Sequence, residues 1–154
     1  MFDTVGGLPL HPLTVHAVVV LLPIACLLTV VVAVVPRWRS RAWWVVVLDA
    51  VVAVAAFVAK QTGERLLARV QSLSPTLPDG LATHTAWGGR LVLLAVLLVI
   101  AALAVAVTQW RQSLRRVAVV AAVLVSVATV ALTVVVGDTG AHAVWSSLIQ
   151  NTKG

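Results

Sequence analysis

Histidine is the side chain in this sequence best suited to hold a cofactor, and all four copies stand at the ends of long apolar segments. His11 and His16 open the first segment, His84 precedes the third, and His142 follows the fourth. Imidazole is costly to place in hydrocarbon and is seldom found there without a partner. Imidazoles that converge at one end of a small bundle can supply the axial ligands of a haem, or nitrogen ligands for zinc or copper.

The apolar segments that would position these histidines are long enough to cross a membrane. The hydrophobic fraction is 61% and the charged fraction is 10%, whereas a soluble domain carries about 25% charged residues. A helix needs about 20 apolar residues to span hydrocarbon and satisfies its own backbone hydrogen bonds there. We therefore predict one all-α domain over residues 1–154, an integral membrane four-helix bundle with helices at about 13–35, 42–59, 87–107 and 117–136.

Arginines mark one side of this predicted bundle. They cluster in the two short connections, as Arg37, Arg39 and Arg41, and as Arg111, Arg115 and Arg116. Loops of this composition face the cytoplasm. An even number of spans returns the chain to its starting side, so both termini and all four histidines are predicted to be extracytoplasmic. The net charge of +6 follows from this topology, which favours the lipid bilayer as partner and no nucleic acid.

The sequence divides into two helical hairpins in tandem, with similar motifs in each. Nearly the same offset separates His11 from His84 and the Thr-Gly pair at Thr62 from the pair at Thr139, a pattern consistent with an old duplication. The Thr-Gly pairs are interpreted as turns that end the second and fourth helices. The long outer loop, residues 60–83, is predicted to contain a short amphipathic helix at the membrane interface, because its leucines recur at helical spacing.

We predict that His16 and His84 are the axial ligands of a b-type haem, because each is tied to the start of a helix. His11 and His142 are assigned to the surroundings of that haem or to a second, more exposed site. Basic residues at the same end are candidates to bind the propionates, namely Lys60, Arg65, Arg69 and Arg90. Two alternatives stay open: a zinc or copper site that includes Asp138, and histidines that only bond to backbone carbonyls at the interface.

Asp49 lies within an unbroken apolar run of the second helix. An ionisable group there usually faces the bundle interior and has a pairing or functional role. Candidate partners are the arginines at 111, 115 and 116, and the hydroxyls of Ser126 and Thr129. Pairing with an arginine is the favoured interpretation, and a proton site is the alternative.

The motif His11-Pro12-Leu13 followed by His16, the Thr62-Gly63 pair and the histidine at 84 together resemble a bacterial family of four-helix membrane proteins that carries only a domain-of-unknown-function label. The resemblance covers nearly the whole chain, and departs from the family pattern at Ala17 and Val18, where an aromatic residue and a proline are common. It implies a multi-pass protein of the bacterial cytoplasmic membrane. Because some members are fused to Rieske-type domains, it also implies a setting in membrane electron transfer.

The leading functional hypothesis is therefore a small b-type cytochrome-like subunit that transfers electrons near the outer face. It would act as a homo-oligomer or as a subunit of a membrane redox complex. The alternatives are a non-catalytic accessory or assembly subunit of a larger membrane complex, and a histidine-rich protein that binds or transports a metal. No nucleophile, acid and base framework is evident, so an autonomous enzyme is not expected.

Overall fold

The fold is a bundle of four long helices. The computed structural model describes Thr4–Val5, residues 8–73 and residues 80–151, with side chains for residues 10–73 and 80–145. The helices are α1 (Leu10–Val34), α2 (Ala42–Leu73), α3 (Leu81–Val107) and α4 (Gln112–Asn151). A 3-10 helix, Pro36–Arg41, joins α1 to α2. A two-residue antiparallel ladder, β1 (Thr4–Val5) with β2 (Leu8–Pro9), precedes α1.

Each helix packs against its two neighbours in chain order, and α4 closes the ring against α1. The buried faces are rich in alanine, as at Ala25, Ala95 and Ala122, and small residues let helices in a membrane approach closely. The outward faces carry exposed valine and leucine along their whole length. All four helices are long and apolar enough to cross a membrane. The chain is thus a multi-pass membrane protein, as the composition predicts.

The two ends of the bundle carry different residues, and we name each end after them. The arginine end holds the 3-10 helix and the connection at residues 108–111, whereas the histidine end holds the first turns of α1 and α3. Helix bounds at the arginine end agree closely with the prediction, since Pro36 stops α1 and α2 begins at Ala42. The differences are at the histidine end.

At the histidine end, α2 continues through the first part of the predicted outer loop. Residues 60–73 are helical, but they extend α2 and do not form a separate helix. An ion pair between Lys60 Nζ and Glu64 Oε1, at 2.5 Å, spans one turn of this extension. The rest of that predicted loop, residues 74–79, lies outside the described residues, and α3 begins after Gly80, whose φ is 85°.

The predicted turn after the fourth helix is wrong, because residues 137–141 are helical and α4 runs on to Asn151. A glycine lowers helix stability by about 1 kcal/mol relative to alanine, which is too little to end a helix that is held by packing. The first and third helices also begin earlier than predicted, at Leu10 and Leu81. His11 and His84 therefore lie in the first turns of α1 and α3, and His142 lies within α4.

Candidate functional site

Two of the four histidines meet at the histidine end of the bundle. The rings of His11 and His84 have their centroids 6.3 Å apart, and the ring planes cross at 78°. Because α1 and α3 run in the same direction on opposite corners of the bundle, their first turns are level with each other. We call these two residues the histidine pair.

His11 is held by the helix that follows it in the chain. Its Nδ1 lies 2.8 Å from the carbonyl oxygen of Ala59 on α2. Thr62 Oγ1 donates a hydrogen bond to the same carbonyl oxygen, Ala59 O, at 3.0 Å. A Cβ atom at Gly63 would lie 2.8 Å from His11 Cε1, so the glycine leaves the space that the ring occupies.

The second hairpin repeats this arrangement with different residues. His84 Nδ1 lies 3.1 Å from the carbonyl oxygen of Val136 on α4. Thr139 Oγ1 donates to Val136 O at 3.1 Å, and a Cβ atom at Gly140 would lie 2.9 Å from His84 Cε1. The Thr-Gly pairs, interpreted from sequence as turns, are therefore helical, and the two histidine rings pack against their glycines. We call Thr62-Gly63 and Thr139-Gly140 the Thr-Gly seats of the rings.

The hydrogen bonds to Ala59 and Val136 determine which ring nitrogen is available on each histidine. A carbonyl oxygen only accepts, so each Nδ1 is the protonated, donating nitrogen. In a neutral imidazole the lone pair then lies on Nε2. Histidines that bind metals are commonly oriented in this way, with the second nitrogen donating to a backbone carbonyl.

Two cavities flank the histidine pair, and both are lined by His11 and His84. The smaller, about 220 Å³, lies mainly between α2 and α3 and includes Leu67 and Gly88. The larger, about 520 Å³, lies mainly between α1 and α4 and includes Val15. Their walls are largely apolar, and the extensions of α2 and α4 beyond the histidine pair supply part of them.

The rings in contact are those of His11 and His84, whereas His16 lines the larger cavity together with both of them. The axial pair of His16 and His84 stays a prediction. His16 is exposed, and its Nδ1 bonds to the carbonyl oxygen of Pro12 on its own helix at 2.5 Å. Five residues turn a helix by about 140° beyond a full revolution, so His16 cannot share the direction of His11. His142 is also exposed, and its Nε2 lies 3.7 Å from Asp138 Oδ1 on α4.

The basic residues predicted to bind propionates differ in position. Lys60 lines the smaller cavity. Arg90 instead lies over the ring of Trp87, at 4.3 Å from its centroid, beside a separate groove between α3 and α4. Arg65 and Arg69 lie on the extension of α2 and line neither cavity.

The predicted convergence of three or four ligands on a zinc or copper ion is not found. Within residues 10–73 and 80–145, no group of three or more histidine, cysteine, aspartate or glutamate side chains could hold a metal ion. Cys26 is buried as a free thiol in the bundle core. The two imidazoles in ring contact at this end are those of the histidine pair.

Asp49 has a different partner from the one predicted. Its side chain is buried, and Oδ2 accepts a hydrogen bond from Thr29 Oγ1 at 2.7 Å. Arg115, one of the predicted partners, donates from Nη2 to the carbonyl oxygen of Ala33 at 3.1 Å. The Arg115 guanidinium is therefore hydrogen-bonded near the end of α1 and does not contact the Asp49 carboxyl group.

A family model described as Predicted membrane protein matches residues 7–153. No curated protein and no solved structure matches the chain. The matched residues include both members of the histidine pair, both Thr-Gly seats and the membrane-spanning part of every helix. The chain belongs to the predicted membrane protein family DUF2231.

Proposed function

We propose that the protein is a small b-type cytochrome-like membrane protein in which His11 and His84 are the axial ligands of one haem. The observation that carries this proposal is the histidine pair itself. Two imidazoles from different hairpins face each other with each Nδ1 already bonded to a carbonyl. The ligand pair therefore differs from the one predicted from sequence, whereas the cofactor is the same.

The spacing of the histidine pair fits two ligands on opposite sides of one metal ion. An imidazole nitrogen lies about 2.0–2.1 Å from a bound metal, and the ring centre lies about 1 Å behind that nitrogen, so two axial rings have centres about 6 Å apart. The centroids of His11 and His84 are 6.3 Å apart.

The two cavities would offer largely apolar space to a macrocycle. His11 and His84 line both of them, so a haem held by these two residues would occupy that space. Lys60 lines the smaller cavity and is placed to bind a propionate in exchange for its ion pair with Glu64. When bound, haem would supply a one-electron ferric–ferrous couple.

The protein's own residues would orient the ligands and exclude water. The carbonyls of Ala59 and Val136 fix the ring tautomers and raise the basicity of the coordinating nitrogens. Leu67, Val70 and Val15 form dry walls. If the arginine end is cytoplasmic, the haem would lie near the outer face of a bacterial cytoplasmic membrane, and its donor and acceptor would be other components of a membrane redox complex or a second copy of the chain.

Absorption spectra of the detergent-purified protein, oxidised and then reduced with dithionite, test this function. We expect the bands of a six-coordinate b haem in the wild type. His11→Ala and His84→Ala should lose those bands, because each removes one axial ligand. His142→Ala is the matched control and should keep them, because His142 is exposed and lines neither cavity. His16→Ala should also keep them, because His16 is not one of the two proposed ligands. A colourless wild type from haem-sufficient cells, or a spectrum that depends on His16 and not on His11, would contradict the proposal.

The competing function is a non-catalytic accessory or assembly subunit. It is favoured by the fact that His11 and His84 also tie α1 to α2 and α3 to α4, a structural task that needs no cofactor. In that case the protein would be colourless, and the His11→Ala and His84→Ala variants would change stability alone.

A further inference from the structure

A second polar site lies inside the bundle, away from the histidine pair. The buried polar side chains there come from α1, α2 and α4 and are Thr29, Asp49, Ser126, Thr129 and Thr133. Asp49 lies on α2 about 15 Å nearer the arginine end than Ala59, at about 1.5 Å per residue. The proposal made above does not use any of these side chains.

The hydrogen bonds of this cluster are incomplete at two atoms. Asp49 Oδ2 accepts from Thr29 Oγ1 at 2.7 Å, but Asp49 Oδ1 is buried without a hydrogen-bond partner, and so is Ser126 Oγ. The hydroxyls of Thr129 and Thr133 each donate to a carbonyl of α4 at 2.7 Å. Asp49 is 1% exposed and Ser126 is 3% exposed, so bulk water does not supply the missing hydrogen bond to either side chain.

The surroundings of Asp49 disfavour a negative charge on its carboxyl group. A single hydroxyl donor does not compensate a carboxylate that has been removed from water. Across the part of the chain that is described, Asp49 takes part in no ion pair. Cys26 on α1 is the other titratable group that faces it, and α3 buries only apolar side chains.

We propose that Thr29 and Asp49 form an intramembrane proton-binding site, in which Asp49 carries a proton on Oδ1 at neutral pH. The carboxylate takes this proton from a hydronium ion, leaving water, so that an O–H bond forms on Oδ1 while Oδ2 keeps its bond from Thr29. The site binds its proton whether or not the histidine pair holds a haem.

Buried polar groups lie on both sides of Asp49 along the bundle axis. Thr29 lies one helical turn from Ala33, whose carbonyl accepts from Arg115, and Arg39 Nε is a further buried polar atom at that end. Towards the histidine end, the buried hydroxyls of Thr129 and Thr133 lie among fully buried apolar side chains, which include Leu22, Val52 and Leu98.

Infrared spectroscopy of the purified full chain tests the proposal. We expect the carbonyl stretch of a protonated carboxylic acid at neutral pH in the wild type, complete loss of that band in Asp49→Asn, and a frequency shift in Thr29→Val. Asp138→Asn changes an exposed carboxylate and serves as the control that keeps the band. Transfer to heavy water should shift the band, because the proton exchanges with solvent.

Two results would overturn the inference. One is the absence of a protonated-acid band in a wild-type sample whose circular dichroism shows intact helices, since Asp49 would then be ionised. The other is a band that survives in Asp49→Asn. Neither of these results depends on the haem spectrum, so the two proposals fail independently.

Discussion

At the scale of single residues, the seats of the two histidine rings leave no room for a methyl group. A Cβ at Gly63 or Gly140 would approach the ring of His11 or His84 to within 2.9 Å. The ring would have to leave its carbonyl partner, because the helix backbone on the other side of the contact is fixed. Glycine is thus needed at these two positions to make room for the histidine rings, and not to shape the helix backbone.

We therefore expect Gly63→Ala and Gly140→Ala to be less stable than Gly137→Ala by about 1–3 kcal/mol, the usual cost of overpacking. Gly137 is the matched control, because a Cβ there meets nothing within 4 Å and alanine favours a helix. Thermal unfolding in detergent, followed by circular dichroism, measures the difference. Equal stability of the three variants would show that the rings do not rest on these glycines.

From the sequence, histidine was the residue type and one end of the bundle the place at which a site was predicted, but the contact between the rings of His11 and His84 was not predicted. The direction of His11 depends on where α1 begins, and hydrophobic periodicity does not specify that boundary. Thr29 was likewise missed as the partner of Asp49 because its contact crosses between helices. The repeated spacing of histidine and Thr-Gly was the signal that could have identified His11.

At the scale of the helices, apolar length was enough to predict four spans, and Pro36 with its arginines predicted the bounds at the arginine end. Glycine was a poor guide at the other end. Gly63 and Gly140 were interpreted as helix stops, whereas both lie within helices whose neighbouring side chains occupy the space a Cβ would take. A glycine in a membrane bundle more often permits close packing than it ends a helix.

The continuity of α2 through Gly63 can be measured with spin labels. Cysteines at Val54 and Ser72 in a Cys26→Ala background lie on one face of a continuous helix and should be about 27 Å apart at about 1.5 Å per residue. A pair at Val117 and Val135, in the uninterrupted part of α4, is the control with the same separation along the chain. If the first distance is shorter than the second by several ångströms, α2 bends near Gly63.

At the scale of the whole molecule, the two ends of the bundle should face opposite sides of the membrane, with the arginine end in the cytoplasm. Ser72→Cys, at the end of α2, should react with a membrane-impermeant thiol reagent in intact cells. Ser113→Cys, at the start of α4, should react only after lysis. Both replace an exposed serine, and Cys26 is buried, so it contributes no background. The reverse pattern of labelling would invert the topology.

The placement of the hydrogen bonds also has a consequence for biogenesis. The bond from His11 to Ala59 and the bond from His84 to Val136 each lie within one hairpin, so each can form as soon as that hairpin has been inserted. The contact between the two rings exists only after both hairpins have associated. A ligand that requires both rings is therefore retained only by completed bundles, and half-assembled or cleaved chains are left without it.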